Sequence, residues 1–340
     1  MLSQATTPAE HVSELINGFW AAQVVNAAAL LDLPDRLAQG PATAETLAAA
    51  AGAHPPSLFR LLRAMQTLGL CTAGADGVFA LTEAGQLLRA GAPGSMRGRA
   101  LFTGDMLWKQ FGDLPEIVRT GGRAASVASG AEGFAALEAD PARLEAFQQA
   151  MAESSRTAAR QAIAAYDFAR FGSVLDLGGG YGGVLAELLK ANPGQSGAVC
   201  DLGYLQAGAE AYLAAAGVAE RGRFIPGDFF TAVPAGFDCC LMKFIIHDWD
   251  DEASTRILST ARAAAGPATT LALIEQVVPE SLGQSLADQA VIRSDLTMMS
   301  VGGKERTAAE YRRLLEATGW RLSAVAPAGP SFSVLEALPA

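Results

Sequence analysis

The sequence is short of charge, and the charge it has leans to one sign. Only 18% of its 340 residues are charged, 25 Lys and Arg against 35 Asp and Glu, for a formal net charge of -10 and a pI near 4.9. An acidic surface repels a phosphate backbone, so no nucleic-acid partner is expected. Long apolar runs are missing too: none approaches the roughly 20 residues that a membrane span needs. Residues 1–14 also lack a cationic patch followed by an apolar block. These absences predict no membrane partner and an unexported, cytoplasmic protein. Cysteine is scarce. Cys71, Cys200, Cys239 and Cys240 form neither a C-x-x-C pair nor a disulfide framework, and they read as small core hydrophobes. Histidine is scarcer still: His11, His54 and His247 alone offer a side chain that exchanges protons near neutral pH.

What is present is apolar bulk. Half the residues are hydrophobic, and the length suits roughly two domains. From Val12 to about Arg170 the pattern is helical and Ala-rich. After Gly172 short apolar runs at 173–177, 197–200, 223–225, 237–242 and 270–277 alternate with helical segments. Such alternation predicts βαβ units and a parallel sheet. Runs at 321–326 and 331–337, joined by Pro327, Ala328, Gly329 and Pro330, predict a closing hairpin and thus one antiparallel strand. In the first half, residues 43–51, 52–56 and 57–68 read as helix, turn and helix, with Ser57 as N-cap. Residues 70–81 follow as a small hairpin with its tip at 74–77, and the whole resembles a winged helix. Its second helix carries Arg60 and Arg63 but mostly a core face, Leu58, Leu61, Leu62 and Met65 among it, which favours packing and dimerisation over DNA reading.

The segment 174–183, V-L-D-L-G-G-G-Y-G-G, is a strand running into glycines and then into a helix. Gly178, Gly180 and Gly183 satisfy G-x-G-x-x-G, which lets a ligand approach the backbone at a helix N-terminus. Alone, this fits NAD, FAD, S-adenosylmethionine or a structural turn. Asp201, about 25 residues beyond the first strand, ends the next one, where a carboxylate accepts ribose hydroxyls. Asp228 and Phe229, past the third strand, offer an adenine amino group a carboxylate and the ring an aromatic face, an element that dinucleotide folds need less. Asp176 is placed either to orient an amino group or to cap the loop amides. His247 follows a buried strand pattern at the carboxyl edge of the sheet, and with a reference pKa of about 6.5 its neutral form is available at pH 7. Asp248, Asp250, Asp251 and Glu252 read as a helix start that complements the dipole rather than as a metal site; no metal is expected.

Four ordered pieces carry a resemblance over essentially the whole chain: L-D-L-G-G-G-Y-G at 175–182, G-D-F-F at 227–230, K-F-I-I-H-D-W-D-D-E at 243–252 and G-G-K-E-R-T at 302–307. They resemble the class I S-adenosylmethionine-dependent small-molecule O-methyltransferases of plant caffeate and flavonoid pathways and of bacterial polyketide and anthracycline pathways. The resemblance implies an α/β, Rossmann-like methyltransferase fold, a mostly parallel seven-stranded sheet with one antiparallel strand. An all-helical, winged-helix-containing dimerisation domain would precede it. The implied domains are 1–100 for dimerisation, 101–170 as a helical linker and substrate-lining region, and 171–340 for cofactor binding and catalysis. Around S-adenosylmethionine it implies Asp176, Gly178, Gly179, Gly180, Asp201, Leu202, Asp228, Phe229, Lys243 and Ser155. Gly203 departs from the family's Asp-Leu-Pro, which touches only the stiffness of the loop.

For catalysis the resemblance implies His247 as general base, flanked by Glu275 and Glu305. A hydroxylated small-molecule acceptor is expected between the halves of the chain, against Met106, Trp108, Phe111, Met151, Asp248, Met298 and Met299, because Met and aromatic side chains suit a flat apolar ligand. A homodimer is implied. Alternatives on the same fold are N- or C-methylation, or a hydroxylation, decarboxylation or pericyclic reaction with the cofactor bound. A winged-helix ligand-sensing regulator is opposed by the acidic charge, and an NAD-dependent oxidoreductase by Asp228, Phe229 and Lys243.

Overall fold

In a computed structural model of the chain, which describes residues 7–125, 151, 155, 156, 158–329 and 332–340, contacts group into two units, Met1–Lys109 and Gln110–Ala340. The first opens with α1 (Pro8–Leu30). Thr7 caps it by accepting the Glu10 N–H at 3.2 Å, and Pro8 takes the first helical position. Next come α2 (Leu33–Ala38), β1 (Ala42–Thr43) and α3 (Ala44–Ala51), which Gly52 ends in the left-handed conformation at φ +62°. α4 (Pro55–Thr67) begins before the cap expected at Ser57. His54 is the N-cap, and Pro55 and Pro56 fill first-turn positions whose N–H groups have no partner within a helix. Ser57 lies inside the helix with its Oγ 3.0 Å from His54 Nδ1.

The hairpin expected after α4 forms from β2 (Cys71–Ala73) and β3 (Val78–Leu81), turning at Gly77 with φ +77°. β1 adds to it in the order β1-β3-β2, so this unit is not all-helical. Leu33, Leu47, Leu58, Leu62, Met65 and Phe79 make its core. α5 (Glu83–Gln86), α6 (Arg97–Phe102) and a π-helical turn at Thr103–Leu107 complete it. Gly104 in that turn sits where a Cβ would come within 2.1 Å of Asn26 Cγ, a close approach that only glycine permits.

After α7 (Trp108–Gly112) and α8 (Leu114–Thr120), the second unit is built on a large sheet. Its strands are β4 (Ser173–Leu177), β5 (Ser196–Asp201), β6 (Gly222–Pro226), β7 (Cys239–Lys243) and β8 (Thr270–Glu275). Two short strands, β9 (Val277–Val278) and β10 (Arg306–Thr307), then pair apart from it, and β11 (Trp320–Ala328) and β12 (Phe332–Pro339) return to it. The helices between them are α9 (Gly183–Ala191), α10 (Gln206–Ala215), α11 (Asp251–Ala264), α12 (Leu286–Val301) and α13 (Ala308–Ala317). The seven strands lie in the order β11-β12-β8-β7-β4-β5-β6, parallel from β4 to β8, with β12 antiparallel to both its neighbours. Helices on both faces explain why the central strands read as continuous apolar runs: Cys239 joins the core on one face and Cys240 that on the other.

Two boundaries in the second unit also differ from those expected of the sequence. The run at 270–277 splits at Glu275, and Val277 and Val278 pair in parallel with Arg306 and Thr307 in a separate ladder. Pro327 and Ala328, expected in a turn, belong to β11 and face Ser333 and Phe332. β11 is an edge strand, so proline's missing N–H breaks no ladder there.

Trp320 is fully buried, and its Nε1–H donates to the Leu258 carbonyl at 3.1 Å. Trp320→Ala leaves a cavity and removes the indole's bond to that carbonyl, and should cost about 3–5 kcal/mol in a urea unfolding titration. A change below about 1 kcal/mol would contradict this account of the core.

Candidate active site

The carboxyl ends of β4, β5 and β6 meet one set of expected residues. After β4 the chain turns through Gly178, Gly180 and Gly182, at φ +72°, +56° and +84°, into α9. A Cβ on Gly178 would lie 2.5 Å from Ile245 Cδ1, and one on Gly179 would lie 2.6 Å from the Asp176 carboxyl. Asp201 reaches the loop from β5: its Oδ2 accepts the Gly180 N–H at 2.8 Å and its Oδ1 the Leu202 N–H at 2.7 Å. Asp176 is fully buried, and neither of its oxygens has a partner. Burial pushes its carboxyl up to about 7. Two orphaned acceptors beside backbone that carries no side chains form a cradle suited to a ligand ammonium.

Asp228 follows β6 and closes its own turn, accepting from the Phe230 N–H at 2.9 Å and the Thr231 hydroxyl at 3.1 Å. Phe229 reaches back to the loop: its ring lies 3.4 Å from where a Gly178 Cβ would sit. Lys243, at the end of β7, donates to Ser155 Oγ at 3.0 Å and has its ammonium 4.2 Å from the Phe244 ring centre. Burial lowers it to about 8, although Glu275, Asp176 and Asp248 pull the other way. Lys243 and Ser155 are thereby joined across 88 positions of sequence.

The second cluster lies past β7 and β8. His247 sits in a 3-10 turn, Ile246–Asp248, and is buried. Its Nδ1 is 2.9 Å from Glu305 Oε1 and 3.9 Å from Glu275 Oε2, and its Nε2 is 3.4 Å from Asp248 Oδ1. Burial alone would lower the imidazole, but Asp248, Glu275 and Glu305 outweigh it and push it up to about 9. The three carboxylates thus favour the second proton on the ring. Glu275 is itself pushed by burial up to about 7, while its Oε1 accepts from the N–H groups of Ile245 and Ile246 at 3.2 and 3.0 Å. Glu305 Oε1 also accepts the Ser294 hydroxyl at 2.6 Å. The acidic run beyond His247 starts α11 as expected, with Asp250 as N-cap accepting the Ala253 N–H at 2.9 Å.

Several residues at this cluster went unread in the sequence. Arg306 is wholly buried and donates to Asp251, to the Ile246 carbonyl at 2.9 Å and to the Trp249 carbonyl at 2.8 Å. A cation beside Glu305 and downstream of an acidic run was its available signal. Ser294, Tyr311 and Phe244 had none, because their roles depend on which strand ends meet. Of the expected acceptor contacts, Phe111 lines a groove of about 350 Å³ in the second unit with Leu282, Ile292, Arg293 and Leu296. Met298 and Met299 are half-buried and do not line it; their carbonyls accept from Gly303 and Gly302 at the end of α12. Met106 and Trp108 belong to the first unit, and Met151 is half-buried with its flanking residues outside the described ones.

Comparison with known proteins gives two family matches: an O-methyltransferase domain over residues 111–321 and an O-methyltransferase dimerisation domain over residues 13–91. The chain is 35% identical to the phenazine O-methyltransferase of Lysobacter antibioticus, over 96% of this chain and 95% of that protein. It is 36% identical to the 8-amino-8-demethylriboflavin N,N-dimethyltransferase of Streptomyces davaonensis, over 92% and 90%. Among solved structures it is similar to an O-methyltransferase from neocarzinostatin biosynthesis in complex with S-adenosylmethionine and 2-hydroxy-5-methyl naphthoic acid. That likeness has a TM-score of 0.79 and 32% identity, covering 94% of this chain and 96% of the other.

Gly303 lets the two halves of the His247 cluster close. A Cβ there would lie 2.1 Å from the His247 carbonyl oxygen and 2.7 Å from the Asp248 carbonyl carbon, both backbone. Gly303→Ala should cost about 1–3 kcal/mol in thermal unfolding, the range for overpacking. A melting temperature equal to the parent's would show that this approach is looser than these distances.

Proposed function

The chain belongs to the S-adenosylmethionine-dependent O-methyltransferase family, and from that premise we propose that it methylates a phenolic hydroxyl of a secondary-metabolite small molecule with His247 as general base. The observation that carries the reading is the imidazole itself: Glu305 Oε1 at 2.9 Å holds Nδ1, so Nε2, 3.4 Å from Asp248 Oδ1, is the nitrogen that would take an acceptor's proton. When bound, S-adenosylmethionine supplies a methyl group already activated by a sulfonium charge. Asp176 would take its ammonium, Asp201 and Leu202 its ribose, and Asp228 and Phe229 its adenine. Gly178, Gly179 and Gly180 would let it near the backbone, with Lys243 and Ser155 against the adenosyl group. His247 Nε2 then takes the proton that the hydroxyl gives up, and Glu305, Glu275 and Asp248 stabilise the imidazolium. Alignment of the acceptor oxygen supplies the larger part of the rate and the base about 100- to 10,000-fold.

Phe111, Met151, Asp248, Met298 and Met299 are the proposed acceptor contacts in the second unit, together with Ile292 and Leu296 of the groove. The Streptomyces davaonensis relative, an N,N-dimethyltransferase, makes methylation at nitrogen the second reading. A hydroxyl is favoured because a base held by three carboxylates suits an acceptor that must lose a proton. No helix among the described residues is long and apolar enough to cross a membrane. Four buried free cysteines support a reducing, cytoplasmic location.

His247→Ala should lower turnover at least about tenfold and leave the calorimetric affinity for S-adenosylmethionine nearly intact. Acceptors for this assay would come from a mass-spectrometric screen of phenols and hydroxyquinones for transfer of one methyl. With the base form lost as pH falls through the folded value of about 9, parent turnover should climb from neutral pH and level off above that point. Equal turnover in His247→Ala would overturn the assignment.

We also propose that the chain works as a homodimer through its first unit. Val12, Leu15, Ile16 and Phe19 recur on one face of α1, and each is more than half exposed. Ile16→Glu with Phe19→Glu should shift sedimentation from dimer to monomer. A dimer that persists would move the interface elsewhere.

A further inference from the structure

Phe244 is the single non-glycine residue of the second unit, among those described, with a left-handed backbone, at φ +55°. Bulky side chains rarely adopt this conformation, and glycine would take it without strain. Its N–H still donates to the Ile274 carbonyl at 3.1 Å, so the bend comes immediately after the last bond to β8. Ile245 follows in the right-handed region, φ -111° and ψ -52°. A left-handed residue followed by a right-handed one turns successive N–H groups to one side, a concavity that binds anions. The anion here is Glu275, whose Oε1 takes the Ile245 and Ile246 N–H groups at 3.2 and 3.0 Å.

The backbone alone would be served by glycine, so the ring needs its own explanation. Its centre lies 5.0 Å from that of His247 with the planes 30° apart, a stacked pair, and 5.2 Å from Phe332, which braces it. The Lys243 ammonium sits 4.2 Å from the same ring centre. A π face next to an imidazole limits its rotation and favours the cation.

We infer that Phe244 is a positioning residue for methyl transfer: its left-handed backbone aims the amides that hold Glu275, and its ring fixes the plane of the His247 imidazole and favours its charged form. This rests on His247 being the base, as proposed above. The groups that act on that imidazole from every side are Asp248 on its own turn, Glu275 from β8, Glu305 ahead of β10 and Lys243 from β7 through the shared ring. Behind them are Ser294 on α12, Arg306, and Tyr311 on α13.

The test is a proton–carbon NMR titration of the full chain, whose three histidines are told apart with His247→Ala. Phe244→Leu keeps apolar bulk and the bend but removes the π face. The His247 midpoint should fall by about half a pH unit, the size of one partly buried cation–π contact, and Phe244→Tyr should return it to the parent value. An unmoved midpoint in a folded Phe244→Leu overturns the inference, as does a midpoint that Phe244→Tyr fails to restore. Should Phe244→Leu not fold, Phe244→Trp, with its larger π face, should raise the midpoint; no rise overturns it equally. Failure here leaves the His247→Ala result standing, whereas unchanged turnover in His247→Ala would overturn the proposed base whatever the titration shows.

Discussion

Glu275 is completely buried at the end of β8, and one of its oxygens is held by two consecutive backbone amides. A carboxylate in an apolar interior is tolerated only when its lone pairs are matched. Much of the surrounding geometry follows from that requirement. The chain must bend sharply after β7 to present the Ile245 and Ile246 amides, and the bend carries His247 to within reach of Glu275 and Glu305. It also leaves the Ile246 and Trp249 carbonyls outside any regular ladder, and the buried Arg306 guanidinium takes both. Arg306 is in turn neutralised by Asp251 in the first turn of α11, so the first turn of that helix is tied to the same cluster.

The order of the sheet divides the labour. From β4 the chain runs outward through β5 and β6, then returns to the other side of β4 and runs outward through β7 and β8. Such a switch point opens a crevice at the carboxyl ends of the strands. Asp176, Asp201 and Asp228 stand on the outward branch, and Lys243, His247 and Glu275 on the return branch. The glycine-loop carboxylates and the His247 cluster therefore come from separate stretches of chain, and Lys243 at the end of β7 is close enough to Asp176 and Glu275 to feel the charge of both.

That division explains what was legible in the sequence. The strands β4, β5, β7 and β8 showed themselves as apolar runs, because strands covered on both faces carry no polar alternation to confuse the reading. The glycine turns showed too, since left-handed backbone is written as Gly178, Gly180 and Gly182. Where a local signal competed with another, the boundary slipped: Ser57 is a good cap, but two prolines before it fit the first turn better. Val277 resumes the apolar pattern after Glu275 and Gln276, yet it pairs with Arg306 in a separate ladder. Phe244 was illegible for a deeper reason. Its left-handed backbone is not written as glycine, because its side chain is needed by groups that reach it from elsewhere in the chain. Asp228 was read as a ligand group, and most of its visible bonding is to its own turn.

The site also brings three of its ionisable groups toward neutrality and carries a fourth, His247, away from it. Burial raises Asp176 and Glu275 to about 7 and lowers Lys243 to about 8, while the carboxylates raise His247 to about 9. Groups so poised respond to any new charge, since an added interaction of only about 1.4 kcal/mol changes a protonation equilibrium tenfold. A cation seated by Asp176 favours the ionised carboxylate there and disfavours the second proton on His247. The neutral form of the His247 imidazole is thus easier to reach once a positive ligand is seated there. Protonation and ligand occupancy are thus coupled through the same few buried charges, and their burial keeps solvent ions from screening that coupling.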